Sequence, residues 1–300
     1  MTHEKAHVMK TQELHIRDPF VLPVAEEKAY YLYGTTAPHA IDGPWTHFEA
    51  YRSADLENWE GPFTVWRKTP DFWGDKHFWA PEVYRYRGRY CMFAGFKKQD
   101  RPRGVGVLRA ASPRGPFEPV VNGPVTPRQW NTLDGTLFVD DDAQPWMVFC
   151  HEWVEVHDGE MAAVPLSEDL SRMAGEPVKL FSASQAPWVK EFICPTVRGF
   201  VTDGPFLWRS GSGKLYMLWA SYGGDGHTYF QGIARSLSGK VSGPWVQQAH
   251  PLYDKDGGHG MIFRTFDLRA MLTVHTPNDF GREHPIFVPV REEGDRLVAG

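Results

Sequence analysis

Four carboxylates and one histidine recur along the chain in the same local setting, each against Pro or Gly at the head of an apolar run: Asp18-Pro19, Pro81-Glu82, Asp134-Gly135, Asp203-Gly204 and His259-Gly260. A single Asp before Gly or Pro is ordinarily a turn former whose carboxylate caps nearby N–H groups. Four in matching places are the makings of one shared acidic site. Few chemistries need several carboxyl groups so close together. Either they bind a cation, or they hold their pKa values apart so that a proton donor and a proton acceptor coexist. Hydrolysis of a glycosidic bond with inversion uses such a pair, about 6.5–9.5 Å apart, with a water between base and sugar. A third carboxylate beside the acid raises its pKa and fixes its orientation.

The elements that must position these groups form a repeat. Each opening leads into a short strand-like run (residues 20–23, 83–86, 136–140, 206–210 and 261–265) and, past a turn, a strongly β-prone run (29–36, 89–96, 145–153, 214–222 and 270–277). A third strand and a Ser/Asp/Gly/Pro-rich turn follow at 48–59, 105–117, 161–170 and 231–245. Successive openings lie 64, 52, 69 and 56 residues apart, somewhat more than the roughly 40–50 residues of a four-stranded propeller blade, which leaves room for long loops. A unit of a few strands cannot bury its own apolar face, so the units must stack around an axis. The pattern predicts an all-β fold, a five-bladed β-propeller, as a single domain over 1–300. The first strands would line the central channel and bring Asp18, Glu82, Asp134 and Asp203 to one mouth.

Composition agrees. Three hundred residues are compatible with one all-β domain, and neither a Ser/Gly-rich linker nor a sustained helical periodicity interrupts the β pattern. The net charge of −5 with scattered Lys and Arg argues against a nucleic-acid partner, and no run approaches the roughly 20 apolar residues of a membrane span. The first twenty residues lack the apolar core of a secretory signal, from which a cytoplasmic location is expected. Cys91, Cys150 and Cys194 are widely spaced and lack zinc-site spacing, so free thiols are expected. Aromatic residues make up 14% of the chain, 12 of them Trp. Most belong to the core of a β protein, but some are available to stack on sugar rings.

Taken together, Arg17-Asp18-Pro19, Trp79-Ala80-Pro81-Glu82, Leu133-Asp134-Gly135-Thr136-Leu137-Phe138, Thr202-Asp203-Gly204-Pro205 and Gly258-His259-Gly260-Met261-Ile262-Phe263 resemble glycoside hydrolase family 43 over residues 16–290. The resemblance implies a five-bladed propeller that inverts the anomeric centre and acts mostly on α-L-arabinofuranosides and β-D-xylosides. It makes Asp18 the general base, Asp134 the pKa modulator and Asp203 the general acid. The family usually has Glu before that Gly-Pro. Asp is one methylene shorter, a displacement of about 1.5 Å, and misplacement on that scale can lower a rate about a hundredfold. Glu82 and Glu191 are therefore alternative proton donors. No cofactor is required; the resemblance matches His259 to a family His that often sits on the axis next to a calcium ion or a water cluster, and a hydrogen-bonded core histidine is the plain reading.

Trp79, Glu82, His151, Glu152, Trp153 and Arg264 are the candidate substrate contacts. The long segments 38–47 and 181–201 would decide between a closed pocket and an open cleft. The expected activity is exo-removal of arabinofuranosyl residues from plant-polysaccharide oligosaccharides. A β-xylosidase or exo-β-galactosidase is the alternative enzyme, and a carbohydrate-binding propeller with a degraded acid site the non-enzyme alternative. A decayed site would be expected to lose Asp18 or Asp134 as well, and both are present.

Overall fold

Runs such as Leu215–Gly223 are buried at all but one position, the pattern of a central strand covered on both faces. Every blade is built around one such run. The computed structural model describes residues 7–36 and 46–300, so the segment 38–47 lies almost wholly outside the described residues. Blade one contains Ile16–Val24, Ala29–Thr36, His47–Ser53 and Asn58–Arg67, with Val8–Lys10 added at its outer edge. Blade two contains Lys76–Tyr86, Arg89–Lys97, Gly104–Ala110 and Glu118–Pro119, and blade three Thr132–Val139, Pro145–His151, Glu160–Pro165 and Val178–Ser182. Blade four runs Asp203–Arg209, Leu215–Gly223, Thr228–Ser236 and Trp245–Gln247, and blade five Gly258–Arg264, Ala270–Thr276, His284–Glu293 and Arg296–Ala299. All pairings within the blades are antiparallel, and the first strand of each blade packs against its neighbours around the axis, Ile16–Val24 closing the ring against Gly258–Arg264. The five-bladed β-propeller expected from the repeat is the fold observed. A separate hairpin, Phe192–Ile193 with Arg198–Gly199, lies in the long segment between blades three and four.

The inner strands begin earlier than their apolar runs imply, and each is broken at the same place. Pairing with the second strand is interrupted between Arg17 and Phe20, Trp79 and Glu82, Leu133 and Thr136, Asp203 and Phe206, and Gly258 and Met261. The first residue of each bulge has a left-handed backbone: Asp18 (φ 53°), Ala80 (45°), Asp134 (55°), Gly204 (49°) and His259 (47°). A bulge re-aims the side chain it carries. This register corrects the equivalence read from the sequence. Asp18, Asp134 and His259 share one position, but Asp203 stands one residue before its bulge, paired with Ala220, and Glu82 stands after its bulge, paired with Phe93.

The core lies between and within the sheets, with Trp59, Trp219, Tyr31, Tyr33, Tyr216 and Phe93 among the largest fully buried side chains. Phe48 is likewise core. The three cysteines are free, Cys91 and Cys150 buried and Cys194 partly exposed.

The second bulge position tolerates no side chain in blade five. A Cβ on Gly260 would lie 1.8 Å from the Thr273 carbonyl oxygen and 2.7 Å from Val274 Cγ1. Gly260→Ala is expected to destabilise the protein by about 2–3 kcal/mol through overpacking against rigid backbone. Denaturant unfolding measures this, and a loss below about 0.5 kcal/mol, the range of neutral surface substitutions, would contradict the register described here.

Candidate active site

Asp18, Asp134 and Asp203 converge on one cavity of about 140 Å³ at the mouth of the channel, which is also lined by Arg17, Thr35, Trp79, Leu133, Tyr229, His259 and Phe280. Their arrangement follows from the bulges. His259 projects from blade five between the carboxyls of blades one and three, its Nδ1 3.2 Å from Asp18 Oδ1 and 3.7 Å from Asp134 Oδ2. Thr35 Oγ1 donates to Asp18 Oδ2 at 2.7 Å, and the Asp18 N–H donates to His275 Nδ1 at 3.2 Å. Gly204 N–H donates to Asp134 Oδ2 at 2.9 Å, and the Tyr229 hydroxyl donates to Asp203 Oδ2 at 2.9 Å.

These contacts separate the three carboxyls electrostatically. Burial opposes ionisation of Asp18, but the adjoining His259 and Arg17 and the Thr35 hydrogen bond outweigh it and hold its pKa below the usual carboxylate value. Burial and the charge of Asp18 push Asp134 up to about 8 against the pull of the Gly204 N–H and Arg103. Burial and Asp134 push Asp203 up to about 7. Near neutral pH the site therefore holds an ionised carboxylate and, on the coupled Asp134/Asp203 pair, a retained proton. An arrangement of this kind can abstract a proton at one side of a bound molecule and deliver one at the other.

Several candidate contacts lie elsewhere. Arg264 is exposed at the far end of its strand, over the Trp208 ring, with its guanidinium directed to the Leu268 carbonyl. Five residues of strand separate it from His259, a span of about 16 Å, so it is not a cavity contact. Glu82 is buried beneath the site, accepting a very short hydrogen bond from Tyr84, whose hydroxyl also lies 2.5 Å from Thr136 Oγ1. It is a floor residue and does not line the cavity. His151 stacks on Trp130 at 4.3 Å and lies 3.1 Å from Glu160. Glu152 is buried in an ion pair with Arg103. Trp153 starts a short helical turn, Trp153–Val156, and meets Phe192 edge to face. None of these three lines the cavity. Glu191, in the segment 181–201, is bound to Arg198 at 2.9 Å and lies 3.4 Å from His157, also outside the lining.

Arg17, Thr35, Tyr229 and Phe280 are lining residues that reasoning from the sequence missed, and only Arg17 had a local signal. It stands directly before Asp18 in the opening motif, which was its available signal. Its Nη2 donates to Asn278 Oδ1 at 2.7 Å and its guanidinium carbon lies 4.3 Å from the Phe280 ring centroid. Tyr229 and Phe280 come from a third strand and a loop, where no local pattern marks them. For calcium on the axis, oxygen ligands are needed. Among the described residues no group of three or more His, Cys, Asp or Glu side chains is arranged around a common metal position, and His259 offers nitrogen, so the residues present do not fit a directly coordinated calcium.

The family model "Glycosyl hydrolases family 43" matches residues 12–292. A solved endo-arabinase from Bacteroides thetaiotaomicron VPI-5482 is 40% identical with a TM-score of 0.89, covering 97% of this chain and 99% of that one. An extracellular exo-α-(1→5)-L-arabinofuranosidase of Cellvibrio japonicus is 28% identical over 273 residues, 84% of this chain and 72% of that protein. An arabinan endo-1,5-α-L-arabinosidase B of Emericella nidulans is 26% identical, covering 82% of this chain and 69% of that protein. No helix among the described residues is long and apolar enough to cross a membrane.

Burial pushes the Glu82 pKa from 4.5 up to about 8, although the hydrogen bonds from Tyr84 and Thr136 pull it down. A group raised on folding contributes stability that is complete below its unfolded pKa and is lost as pH rises through the folded value. Glu82→Gln, which keeps an acceptor for Tyr84 but cannot ionise, is therefore expected to gain stability relative to the parent between pH 5 and pH 9. Thermal melts at both pH values test this. An unchanged difference in Tm would mean that Glu82 is ionised in the folded protein throughout.

Proposed function

The chain belongs to the glycosyl hydrolases of family 43, and on that footing we propose that it hydrolyses α-L-arabinofuranosyl linkages of arabinan-derived oligosaccharides with inversion, releasing residues from chain ends. One observation carries the reading: a carboxylate held ionised, Asp18, and a coupled carboxyl pair that retains a proton near neutrality, Asp134 with Asp203, face one cavity. In this scheme Asp18 takes a proton from a water that attacks the anomeric carbon. The glycosidic C–O bond breaks with its electron pair passing to the departing oxygen, which receives the Asp203 proton. Asp134 crowds Asp203 and keeps that proton in place. The sugar is inferred from the related proteins named above, and the chain-end mode from the small cavity of about 140 Å³, which suits one sugar ring better than a run of them.

Arabino-oligosaccharides incubated with the protein should yield arabinose as the first product, and proton NMR of the early product should show the inverted anomer. Internal fragments as first products would overturn the chain-end mode, the retained anomer the mechanism, and preferential release of xylose or galactose the sugar.

Asp18→Asn should lose about 10²–10⁴-fold in kcat on every substrate, the usual contribution of a general base. Asp203→Ala should lose a similar factor on an oligosaccharide and far less on a 4-nitrophenyl arabinofuranoside, whose leaving group departs with little protonation. The rate should fall as pH rises through about 7, where Asp203 loses its proton, and on the acid side should hold until below the usual carboxylate range, where Asp18 is protonated. Equal losses for Asp203→Ala on both substrates would remove Asp203 from the acid role.

A further inference from the structure

Groups from four parts of the chain meet on Asn278, a partly buried residue in the blade-five loop between Ala270–Thr276 and His284–Glu293. Its Oδ1 lies 2.7 Å from Arg17 Nη2 and 3.3 Å from His275 Nε2, and its Nδ2 donates to the Tyr222 hydroxyl at 3.2 Å. Its main-chain N–H donates to Asp256 Oδ2 at 3.2 Å. Asp256 Oδ1 accepts in turn from the Tyr229 N–H of blade four, so the backbone of the loop is anchored independently of the Asn278 side chain.

The chemistry of these partners fixes how the amide and the imidazole face. A guanidinium has donors only, so the Asn278 atom against Arg17 is the carbonyl oxygen. His275 is fully buried, and burial with the nearby Arg17 pushes its pKa down to about 3, which leaves it neutral with a single ring proton. Its Nδ1 accepts the Asp18 N–H at 3.2 Å, and a ring nitrogen that accepts carries no proton. The proton is therefore on Nε2, facing Asn278 Oδ1. Which nitrogen of a histidine is protonated is set by the partner of the other. In the opposite tautomer a donor would face a donor at the bulge, where Asp18 is held at φ 53°.

Arg17 depends on the same oxygen. Among the described residues Asn278 Oδ1 is the one hydrogen-bond acceptor of its guanidinium, since Nη1 lies 4.0 Å from Glu283 Oε1 in a buried ion pair without a hydrogen bond. A carbonyl oxygen has two lone pairs and can take both donors. Asn278 does not itself line the cavity. It reaches Asp18 through His275 and Arg17.

We propose that Asn278 is a positioning residue for the general base: its side-chain carbonyl oxygen holds His275 in the Nε2–H tautomer that accepts the Asp18 N–H, and holds Arg17 beside the Asp18 carboxylate. This rests on the hydrolase reading above, in which Asp18 activates the attacking water. A misoriented base slows a proton abstraction that every substrate shares, and misplacement by about 1 Å can lower a rate about a hundredfold.

Asn278→Ala removes the acceptor, and Asn278→Asp keeps oxygen acceptors in the same shape. Circular dichroism melts establish that each variant is folded. Asn278→Ala should lower kcat about ten- to a hundredfold with KM changed less, and by the same factor on arabinotriose and on a 4-nitrophenyl arabinofuranoside. Asn278→Asp should recover most of that loss. In the Asp18→Asn background, Asn278→Ala should cost no further kcat, because the residue acts through Asp18. Long-range proton–nitrogen NMR of protein with isotope-labelled histidine should show His275 as the Nε2–H tautomer in the parent and in Asn278→Asp, but not in Asn278→Ala. An unchanged kcat in folded Asn278→Ala, no recovery in Asn278→Asp, a loss that adds in full to that of Asp18→Asn, or an Nδ1–H imidazole at His275 in the parent overturns the positioning role, while the parent's activity leaves the hydrolase reading standing. A loss confined to arabinotriose also overturns it, because it would place the effect on the acid side through Asp256 and Tyr229. A parent that cleaves neither substrate overturns both.

Discussion

The inner-strand bulges release backbone N–H groups that the sheet no longer pairs, and the way those groups are satisfied ties the blades to one another. Ala80 N–H of blade two donates to Thr35 of blade one, Gly204 N–H of blade four to Asp134 of blade three, Gly260 N–H of blade five to Gln231 of blade four, and Asp18 N–H of blade one to His275 of blade five. A buried N–H without a partner costs about 1–3 kcal/mol, so each acceptor is held to its neighbour blade by a demand of the main chain. The belt runs along the mouth of the channel from blade two through blades one, five and four to blade three. It sets the orientation of Asp18 and Asp134 before any substrate arrives: one carboxyl is an acceptor in the belt, and the other belongs to a residue whose own N–H is a donor in it. Gln231 and His275 are fully buried for the same reason.

Preorganisation of this kind decides the charges. His275 accepts a hydrogen bond from the Asp18 N–H at Nδ1 and its Nε2 lies 3.3 Å from Asn278 Oδ1, and burial with the nearby Arg17 keeps it neutral, its pKa pushed down to about 3. Arg17 sits between Asn278 and the Phe280 ring, so its charge lies beside Asp18. Asp134 and Asp203 have no cation in direct contact except the approach of His259 to Asp134, and burial dominates both. The difference between a base and an acid among chemically identical side chains is therefore set by His259 and Arg17, which outweigh burial at Asp18, and by burial and the neighbouring Asp134, which prevail at Asp203 over the pull of His259 and Tyr229.

The number of blades and the second strands were legible because aromatic and β-branched runs between Gly/Pro turns report burial directly. Ala29–Thr36 has the limits expected of it. The polar openings are legible as recurring marks, but the Pro or Gly beside each does not mark the register. In Asp18-Pro19 and Asp134-Gly135 the carboxylate precedes the marker and occupies the bulge. In Pro81-Glu82 it follows the marker, and in Asp203-Gly204-Pro205 the Gly itself takes the left-handed place. Glu82 stands two residues past the left-handed Ala80, beyond the bulge and paired with Phe93, and lies in the floor. The cavity contributions of Tyr229 and Phe280 depend on tertiary contacts that no local spacing records.

Backbone strain at the inner-strand bulges argues in the same direction as the chemistry. A left-handed conformation costs a non-glycine residue on the order of 1–2 kcal/mol, and glycine adopts it freely. Blade four uses Gly204 at its bulge. Blades one, three and five hold Asp18, Asp134 and His259 there instead, the three side chains that meet one another at the cavity. Asp and His accept this region more readily than most residues, so the site combines the tolerated residue types with the positions where their side chains converge. Blade two holds Ala80, which brings no functional group, yet its strain adjoins Trp79, and the same strand bears a second left-handed residue in His77. Strain at all four positions thus coincides with a side chain that lines or backs the cavity, and the one blade without it carries its cavity carboxyl, Asp203, on an ordinary strand residue just ahead of the glycine.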